Sequence, residues 1–528
     1  MIVAVALLVS TGIILYRLFL HPLAKVPGPR LAAISNVWQA YQARNGRMLT
    51  LAKTLHRMYG HAVRVGPNEV WFDSQEAFKI IYNASSGYEK SDFYLATTLN
   101  KATVDSRLRI CSPDTLDLLS ERDMKRYRLQ RRLIGPLYQA SHLRRYEPAV
   151  DAVLARLVAA IRATAGAEVD LRTWMHIAVV ECLGAVCLSW SPGWLKAGSD
   201  GGAAEHGQMG WRRKSVFGLF PAAAVAESYS RGFGRAFAAV WGLRYKSPKG
   251  FKSFFTGVYR NISKRTAAIN SARKQKDHRR DLTADLIQLH LSKPEQFTPL
   301  YLHRMAMTNF GAGHETTCSA LTAAVAMAAS QEAVYARLAA EARVSDATTS
   351  PRPDIAAAAA VGSPLSARLP YMYACVREAQ RLYPVIGMSL PRRVPGGGMR
   401  VHGHFLPEGT TVGCPPAALH RNLEVFGADA EEYRPERWLT GDDEGKDVGE
   451  IEEERIRRME RYNLTWGGGV RTCPGRNLGE MIVHKAVAAL VREFDIEVVE
   501  MPREEEMSYF FLAMLSGIRV RFVPAGRA

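Results

Sequence analysis

The sequence predicts a mainly α-helical protein with a smaller β-rich lobe, preceded by one apolar N-terminal helix. Three observations carry that prediction. Over residues 143–288, Ala, Leu and Val recur at helical spacing with few strand signals. Strand signals are confined to residues 62–72, where two short runs flank the turn Gly66-Pro67-Asn68, to residues 400–412, and to residues 517–523 near the C-terminus. Residues 2–20 are apolar except at Ser10, Thr11, Gly12 and Arg17.

That first segment approaches the roughly 20 residues that span a bilayer as a helix. Arg17 lies near its end, where a long side chain can snorkel to the interface. A signal peptide needs a basic stretch before the apolar tract and a small-residue cleavage site, and the sequence has neither. Arg17, Lys25 and Arg30 all follow the tract, so the positive-inside tendency places the rest of the chain on the cytoplasmic face. A buried helix opening a soluble domain is the alternative. Pro22, Pro27, Gly28 and Pro29 then predict a stiff, non-helical connector. The expected division is an anchor over 1–21, a proline-rich connector over 22–30 and one large domain over 31–528. Residues 191–208, 344–367 and 441–454 read as surface loops.

The 528 residues are 47% hydrophobic and 23% charged, ordinary for a globular enzyme, with a formal net charge of +18. That charge suits nucleic acid, an anionic membrane or an acidic partner. No RNA-binding aromatic signature, zinc-finger spacing or basic helical arm accompanies it, so nucleic acid is not an expected partner. Cys111, Cys182, Cys187, Cys318, Cys375, Cys414 and Cys473 are odd in number, scattered and free of C-x-x-C pairs, which fits a reducing compartment.

One cysteine stands in a chemical context. Trp466-Gly467-Gly468-Gly469-Val470-Arg471-Thr472-Cys473-Pro474-Gly475-Arg476 runs into an apolar-periodic helix expected over residues 478–491. A thiolate at the N-terminus of a helix is favoured by the backbone N–H groups and the macrodipole, and Pro474 suits a first helical position. Gly469 and Gly475 remove side chains where a flat ring would approach the backbone. Arg471 supplies a cation able to meet a carboxylate. A lone cysteine is more often a small core hydrophobe.

The run resembles the haem-binding signature F-x-x-G-x-R-x-C-x-G of the cytochrome P-450 superfamily, matched at Gly469, Arg471, Cys473 and Gly475, with Trp466 in place of Phe. The resemblance implies a triangular, mainly helical fold, haem b (iron protoporphyrin IX) and Cys473 as its axial ligand. Trp466 keeps an aromatic under the ring and adds an indole N–H near the sulfur.

A long helix is expected over residues 299–330, yet its centre holds Gly311-Ala312-Gly313-His314-Glu315-Thr316-Thr317. Each glycine costs about 1 kcal/mol of helix propensity, and such a centre is expected to distort. The residues suit either a dioxygen pocket or close packing against a neighbouring helix. The stretch from Ala312 to Thr317 resembles the family's [AG]-G-x-[DE]-T-[TS] motif, which assigns a hydrogen-bonding hydroxyl to Thr316 and a proton-relaying acid to Glu315.

Glu378 and Arg381 lie at i, i+3 spacing, a pattern that recurs by chance in long helices. Arg381-Leu382-Tyr383-Pro384 and Pro435-Glu436-Arg437-Trp438 resemble family motifs that imply a buried Glu378–Arg381–Arg437 network. Resemblance also offers Tyr127, Arg131, Arg392 and Arg471 to the haem propionates, places Ala312 beside the haem, and suggests Phe310, Val385, Ile386, Phe510 and Phe511 as pocket residues. What it implies overall is a monooxygenase acting on a lipophilic small molecule, with spellings like those of fungal secondary metabolism. Electrons would come from an NADPH-dependent reductase, with cytochrome b5 as an additional candidate, at the endoplasmic reticulum membrane. Lys125, Arg126, Arg128 and Arg132 form either a docking face for that reductase or a solvated basic face. A haem-thiolate isomerase or dehydratase and a non-catalytic haem-binding membrane protein are the rivals.

Overall fold

The computed structural model describes residues 1–83, 87–98, 104–105, 114, 116–243, 251–270, 279–344, 368–440 and 446–526. Its principal helices, numbered in chain order, are α1 (Ile2–Leu15), α2 (Met124–Ile134), α3 (Glu147–Arg162), α4 (Leu171–Leu188), α5 (Ala203–Gly218), α6 (Phe254–Asn270), α7 (Pro299–Ala329), α8 (Pro370–Leu382), α9 (Lys446–Arg461) and α10 (Arg476–Glu493). Helix α7 runs through the core: Thr298 caps it by accepting from the Tyr301 N–H at 3.2 Å, and Pro299 opens its first turn. It packs against α4, α6, α8 and α10.

The five-stranded sheet builds a smaller lobe around a second core, while the C-terminal strands pack on the main helical core. A five-stranded sheet has the spatial order Ala62–Gly66, Glu69–Phe72, Thr411–Gly413, Arg392–Arg393, Glu89–Lys90, with Glu69–Phe72 and Thr411–Gly413 parallel in the register Glu69 to Thr411 and Trp71 to Gly413. Val169–Asp170, Arg519–Pro524 and Phe494–Glu500 make a three-stranded sheet in that order. The connector joins this lobe: Leu23 and Val26 are buried with Phe72 and Trp438, and the Arg64 N–H donates to the Pro27 carbonyl at 2.7 Å. Gly28 is needed there, since a Cβ would lie 2.3 Å from the Arg64 carbonyl oxygen.

Residues Ile2–Leu20 form a 19-residue apolar helical stretch with none of it buried. Leu171–Leu188 is also long and apolar enough to cross a membrane, but 89% of it is buried inside the protein, which marks α4 as a core helix.

Two expected loops are not loops. Residues 191–208 contain the short helix Trp194–Ala197, the buried Asp200 and the start of α5. Residues 441–454 overlap α9, whose acidic N-terminal half is followed by Arg455, Arg457, Arg458 and Arg461; the pairs Glu453–Arg457 and Glu452–Arg455 support a helix with little core pattern. Of the third stretch, residues 345–367 lie outside the described residues.

Candidate functional site

The loop bearing Cys473 is closed on itself: the Cys473 N–H donates to the Trp466 carbonyl at 2.8 Å and the Thr472 hydroxyl to the Gly469 carbonyl at 2.8 Å. Gly469 has φ +61°, and a Cβ there would stand 2.2 Å from the Tyr82 carbonyl, so only glycine fits. Helix α10 begins at Arg476 with Gly475 as its N-cap, two residues later than Pro474 would set it. The sulfur therefore draws on the Gly475 N–H rather than on the helix's own first turn. Burial raises the Cys473 thiol above its ordinary value, while the Gly475 N–H, Arg131 and Lys90 oppose that rise. Of the six described cysteines, five are buried and Cys473 alone is partly open. Cys111 lies outside the described residues.

Opposite the loop stands the centre of α7. Gly479 of α10 lies at the contact between them: a Cβ there would stand 3.1 Å from the Trp466 indole and 3.9 Å from the Thr317 hydroxyl. Within this buried helix Ala312, Gly313 and Thr316 are partly accessible, as the walls of an internal space are. The expected distortion does not occur; α7 is unbroken from Pro299 to Ala329. Thr316 back-bonds, its hydroxyl donating to the Ala312 carbonyl at 2.5 Å. The glycines serve packing as well, since a Cβ on Gly313 would lie 3.1 Å from Leu183 of α4.

Glu315 is fully buried, and its Oε2 accepts from Arg172 of α4 at 2.7 Å. Burial opposes ionisation, but Arg172, His314 and His176 hold the carboxyl below its ordinary value. His314, pushed down to about 4 chiefly by burial, donates from Nδ1 to the Phe310 carbonyl at 2.6 Å. Neither Arg172 nor His176 was legible in the sequence: they are about 140 residues away from α7 on a helix with no motif.

Around Cys473 the structure gathers Tyr127, Arg131, Arg392 and Arg471, all close enough to act electrostatically on one another. It adds Lys90, which sequence reasoning missed. Burial, followed by Arg471 and Arg392, drives the Lys90 ammonium well below its ordinary value; burial and Arg392 bring Arg471 down to about 10. Lys90 donates to the Leu119 carbonyl and sits 4.5 Å above the Tyr94 ring. Arg392 donates to the Leu390 and Pro391 carbonyls and, at 3.4 Å, to the Tyr94 hydroxyl, and lies 5.4 Å from the centre of the Tyr82 ring. Arg471 donates to the Glu121 and Arg122 carbonyls and stacks 4.2 Å over Tyr127, whose own hydroxyl donates to the Val470 carbonyl at 3.0 Å. The buried Nη1 of Arg131 and Nε of Arg471 have no partner. Among the described residues none of these four cations has a carboxylate in ion-pair contact. Buried like charges without an acid call for an anion, and the two propionates of a haem beside Cys473 fit that demand.

The expected network is closed. Glu378 Oε1 accepts from Arg381 Nη2 at 2.7 Å, Arg437 Nε at 3.0 Å and the Arg434 N–H at 3.1 Å. Its Oε2 accepts from Arg381 Nε and Trp438 Nε1, both at 2.8 Å. The network reaches the cysteine loop through His420. Burial holds that imidazole down at about 3; Nδ1 donates to the Arg381 carbonyl at 3.0 Å, and Nε2 accepts from the Leu464 N–H at 2.7 Å, two residues before Trp466.

Of the pocket residues, Val385, Ile386, Phe510 and Phe511 come together. The Ala513 N–H donates to the Val385 carbonyl at 2.8 Å, Ile386 bridges Leu512, and Phe511 packs against Phe93, Tyr94 and Trp211. Phe310 does not join them. At about 100° per residue it projects roughly opposite to Ala312, and its ring packs on Phe254 beside His314. Lys214 of α5, 4.8 Å over the Trp211 ring and lowered by burial to about 8, was not foreseen.

The cytochrome P450 family model matches residues 26–517. The chain is 54% identical over 527 residues to "Cytochrome P450 monooxygenase sdnT" of Sordaria araneosa, covering 97% of this chain and 92% of that protein. It is 30% identical over 515 residues to "Cytochrome P450 monooxygenase cicH" of Emericella nidulans, covering 94% and 93%, and 28% identical over 496 residues to a "Pisatin demethylase" of Fusarium vanettenii, covering 92% and 85%. By the family model and by these relatives, and with a thiol loop flanked by buried cations and facing a threonine-bearing core helix, the chain belongs to the cytochrome P450 family of haem-thiolate oxidoreductases, with Cys473 in the place of the axial ligand.

Proposed function

We propose that this protein inserts one oxygen atom of dioxygen into a lipophilic fungal secondary metabolite, drawing electrons from a separate NADPH-dependent reductase. When bound, the haem supplies dioxygen activation. The observation that carries the reading is the Thr316 hydroxyl at the partly accessible centre of α7, on the face of Ala312, in a helix whose next residue, Thr317, lies 3.9 Å from the Cβ position of Gly479 behind the Cys473 loop. A hydroxyl there can turn from the Ala312 carbonyl toward a ligand. Glu315, ionised and held by Arg172, becomes the relay acid when that pair opens. An isomerase or dehydratase needs neither group, and the printed names of the relatives are those of monooxygenases and a demethylase.

In this reading Lys90, Arg131, Arg392 and Arg471 hold the propionates, Tyr127 positions Arg471 by stacking, and Trp466, Gly469 and Gly475 shape the face beneath the ring. Val385, Ile386, Phe510 and Phe511 supply an apolar wall. Lys214 adds one cation near it, which favours a substrate carrying an acidic or strongly hydrogen-bond-accepting group.

Ile2–Leu20 anchors the chain in the endoplasmic reticulum membrane with the catalytic domain on the cytoplasmic side. Lys125, Arg128 and Arg132 are exposed on α2 and suit an acidic reductase surface, or cytochrome b5; Arg126 is spent on Asp114 and Glu121. The test is incubation of microsomes bearing the protein with candidate metabolites, NADPH and reductase. Products heavier by one oxygen, labelled from 18O2, are expected. Conversion that continues without NADPH would establish the isomerase reading instead.

A further inference from the structure

Behind α7, on the side turned toward α4 and α5, three ligating atoms converge. One ligating atom from each of His176, His314 and Glu315 lies within 4.8 Å of the other two, and all three residues are buried. His176 Nε2 and Glu315 Oε1 have no hydrogen-bond partner, and His314 Nε2 stands 3.7 Å from Glu315 Oε1.

The outer contacts decide what these atoms offer. His176 Nδ1 meets the Asp200 carboxylate at 3.0 Å, and His314 Nδ1 meets the Phe310 carbonyl at 2.6 Å. Both partners are acceptors, so both Nδ1 atoms carry the proton, and each ring when neutral presents a lone pair at Nε2. Asp200 is itself fixed by the N–H groups of Gly202 and Ala204. Glu315 spends Oε2 on Arg172 and leaves Oε1 facing the two imidazoles. With both rings neutral, three acceptors share one buried space with no donor between them, which costs free energy unless something positive sits there. Carboxylate and carbonyl groups behind ligating histidines are the usual outer support of a metal ion.

We infer that His176, His314 and Glu315 form a binding site for one divalent transition-metal ion of the zinc class, completed by water or a fourth ligand. Zn–N bonds of about 2.0–2.1 Å separate tetrahedral ligand atoms by roughly 3.4 Å, so the site needs a contraction of at most about 1.4 Å from the 4.8 Å limit. Two histidines and one carboxylate are a borderline donor set that calcium and magnesium disfavour. The site is distinct from the haem pocket but shares Glu315 with the proposed relay. With the ion on Oε1 and Arg172 on Oε2, both carboxylate oxygens are held and the group stays ionised, so the loaded form holds that relay closed.

The test uses full-length, haem-loaded protein produced in zinc-supplemented medium and desalted, with zinc counted per haem iron by mass spectrometry. Wild type should retain one zinc per haem, and H176Q/H314Q almost none, counting only protein that gives the thiolate carbon monoxide band. D200N should weaken retention roughly tenfold or more. X-ray absorption at the zinc edge of wild type, which needs no variant to fold, should show imidazole scattering and N/O ligands at about 2.0–2.1 Å without sulfur at about 2.3 Å. A zinc-free wild type, as a shared water or proton would leave it, overturns the assignment. So does a sulfur shell, or zinc retained equally by the double variant. None of these readouts depends on turnover, so the proposed oxygenation can fail without touching them.

Discussion

Replacing Glu378 by Gln is the sharpest test of the scaffold. The carboxylate is fully buried and accepts five donors, three on Oε1 and two on Oε2. A glutamine can keep its carbonyl toward only one set. With oxygen on the Oε1 side, its NH2 faces Arg381 Nε and Trp438 Nε1, both donors, and the charge that compensates two buried guanidiniums is gone. Breaking a buried ion pair costs about 3–5 kcal/mol. Against a native stability of about 5–15 kcal/mol, that is a large fraction. The measurement is guanidinium unfolding followed by tryptophan fluorescence, alongside the fraction of protein giving the thiolate carbon monoxide band. That fraction should fall too, because the network reaches Leu464 through His420. Glu378→Leu with Arg381→Met and Arg437→Met should recover part of the loss, since apolar replacement of a whole ionic cluster is often neutral. A Glu378→Gln loss below about 1 kcal/mol, or strictly additive losses in the triple variant, would refute the reasoning.

Other expectations follow from the same geometry. Cys473→Ser should abolish the thiolate carbon monoxide band while leaving the helical far-UV spectrum intact. Arg131→Gln should weaken haem retention roughly tenfold to a hundredfold, the worth of one charge-assisted hydrogen bond of about 1.5–3 kcal/mol, measured by transfer of haem to apomyoglobin. Thr316→Val should keep NADPH consumption but divert it to hydrogen peroxide, read as peroxide per product. On acidification, the folded Glu378 carboxyl lies below its ordinary 4.5, so its contribution is fully present above that pH and is lost as pH falls toward the folded value. Wild type should therefore lose stability more steeply below pH 4.5 than Glu378→Leu, in denaturant titrations at stepped pH.

Most of the architecture was legible because its signals are local. Turn residues bounded the strands at 62–72, the long helix read from Pro299 onward is α7, and the ten positions around Cys473 carry their chemistry within one loop. Where local rules failed, tertiary contacts had overridden them. The glycine-rich centre of α7 stayed helical because Gly313 gives Leu183 room to pack, and residues 194–197 became helix within a stretch read as loop, near His176 and Phe254. Phe310 illustrates the limit of proximity in sequence: two residues from Ala312, it lies on the far side of the helix. Lys90, Arg172 and His176 had no local signature at all, being brought in from distant segments.

Two buried charge clusters now separate scaffold from site on physical grounds. Around Glu378, cations and carboxylate are matched donor for acceptor, so the cluster is complete within the protein and its loss should lower stability whether or not haem is bound. Around Cys473, Lys90, Arg392 and Arg471 repel one another beside Arg131, and none of the four has a carboxylate in ion-pair contact among the described residues, so the protein alone bears a cost that an anionic ligand relieves. Lys90→Met should accordingly stabilise the haem-free protein and weaken haem binding in the same variant, a pairing that no substitution in the Glu378 cluster can produce. Chemical denaturation of haem-free and haem-loaded forms measures both signs; if Lys90→Met destabilises the two forms alike, Lys90 belongs to the scaffold and the cluster has lost its claim to the propionates.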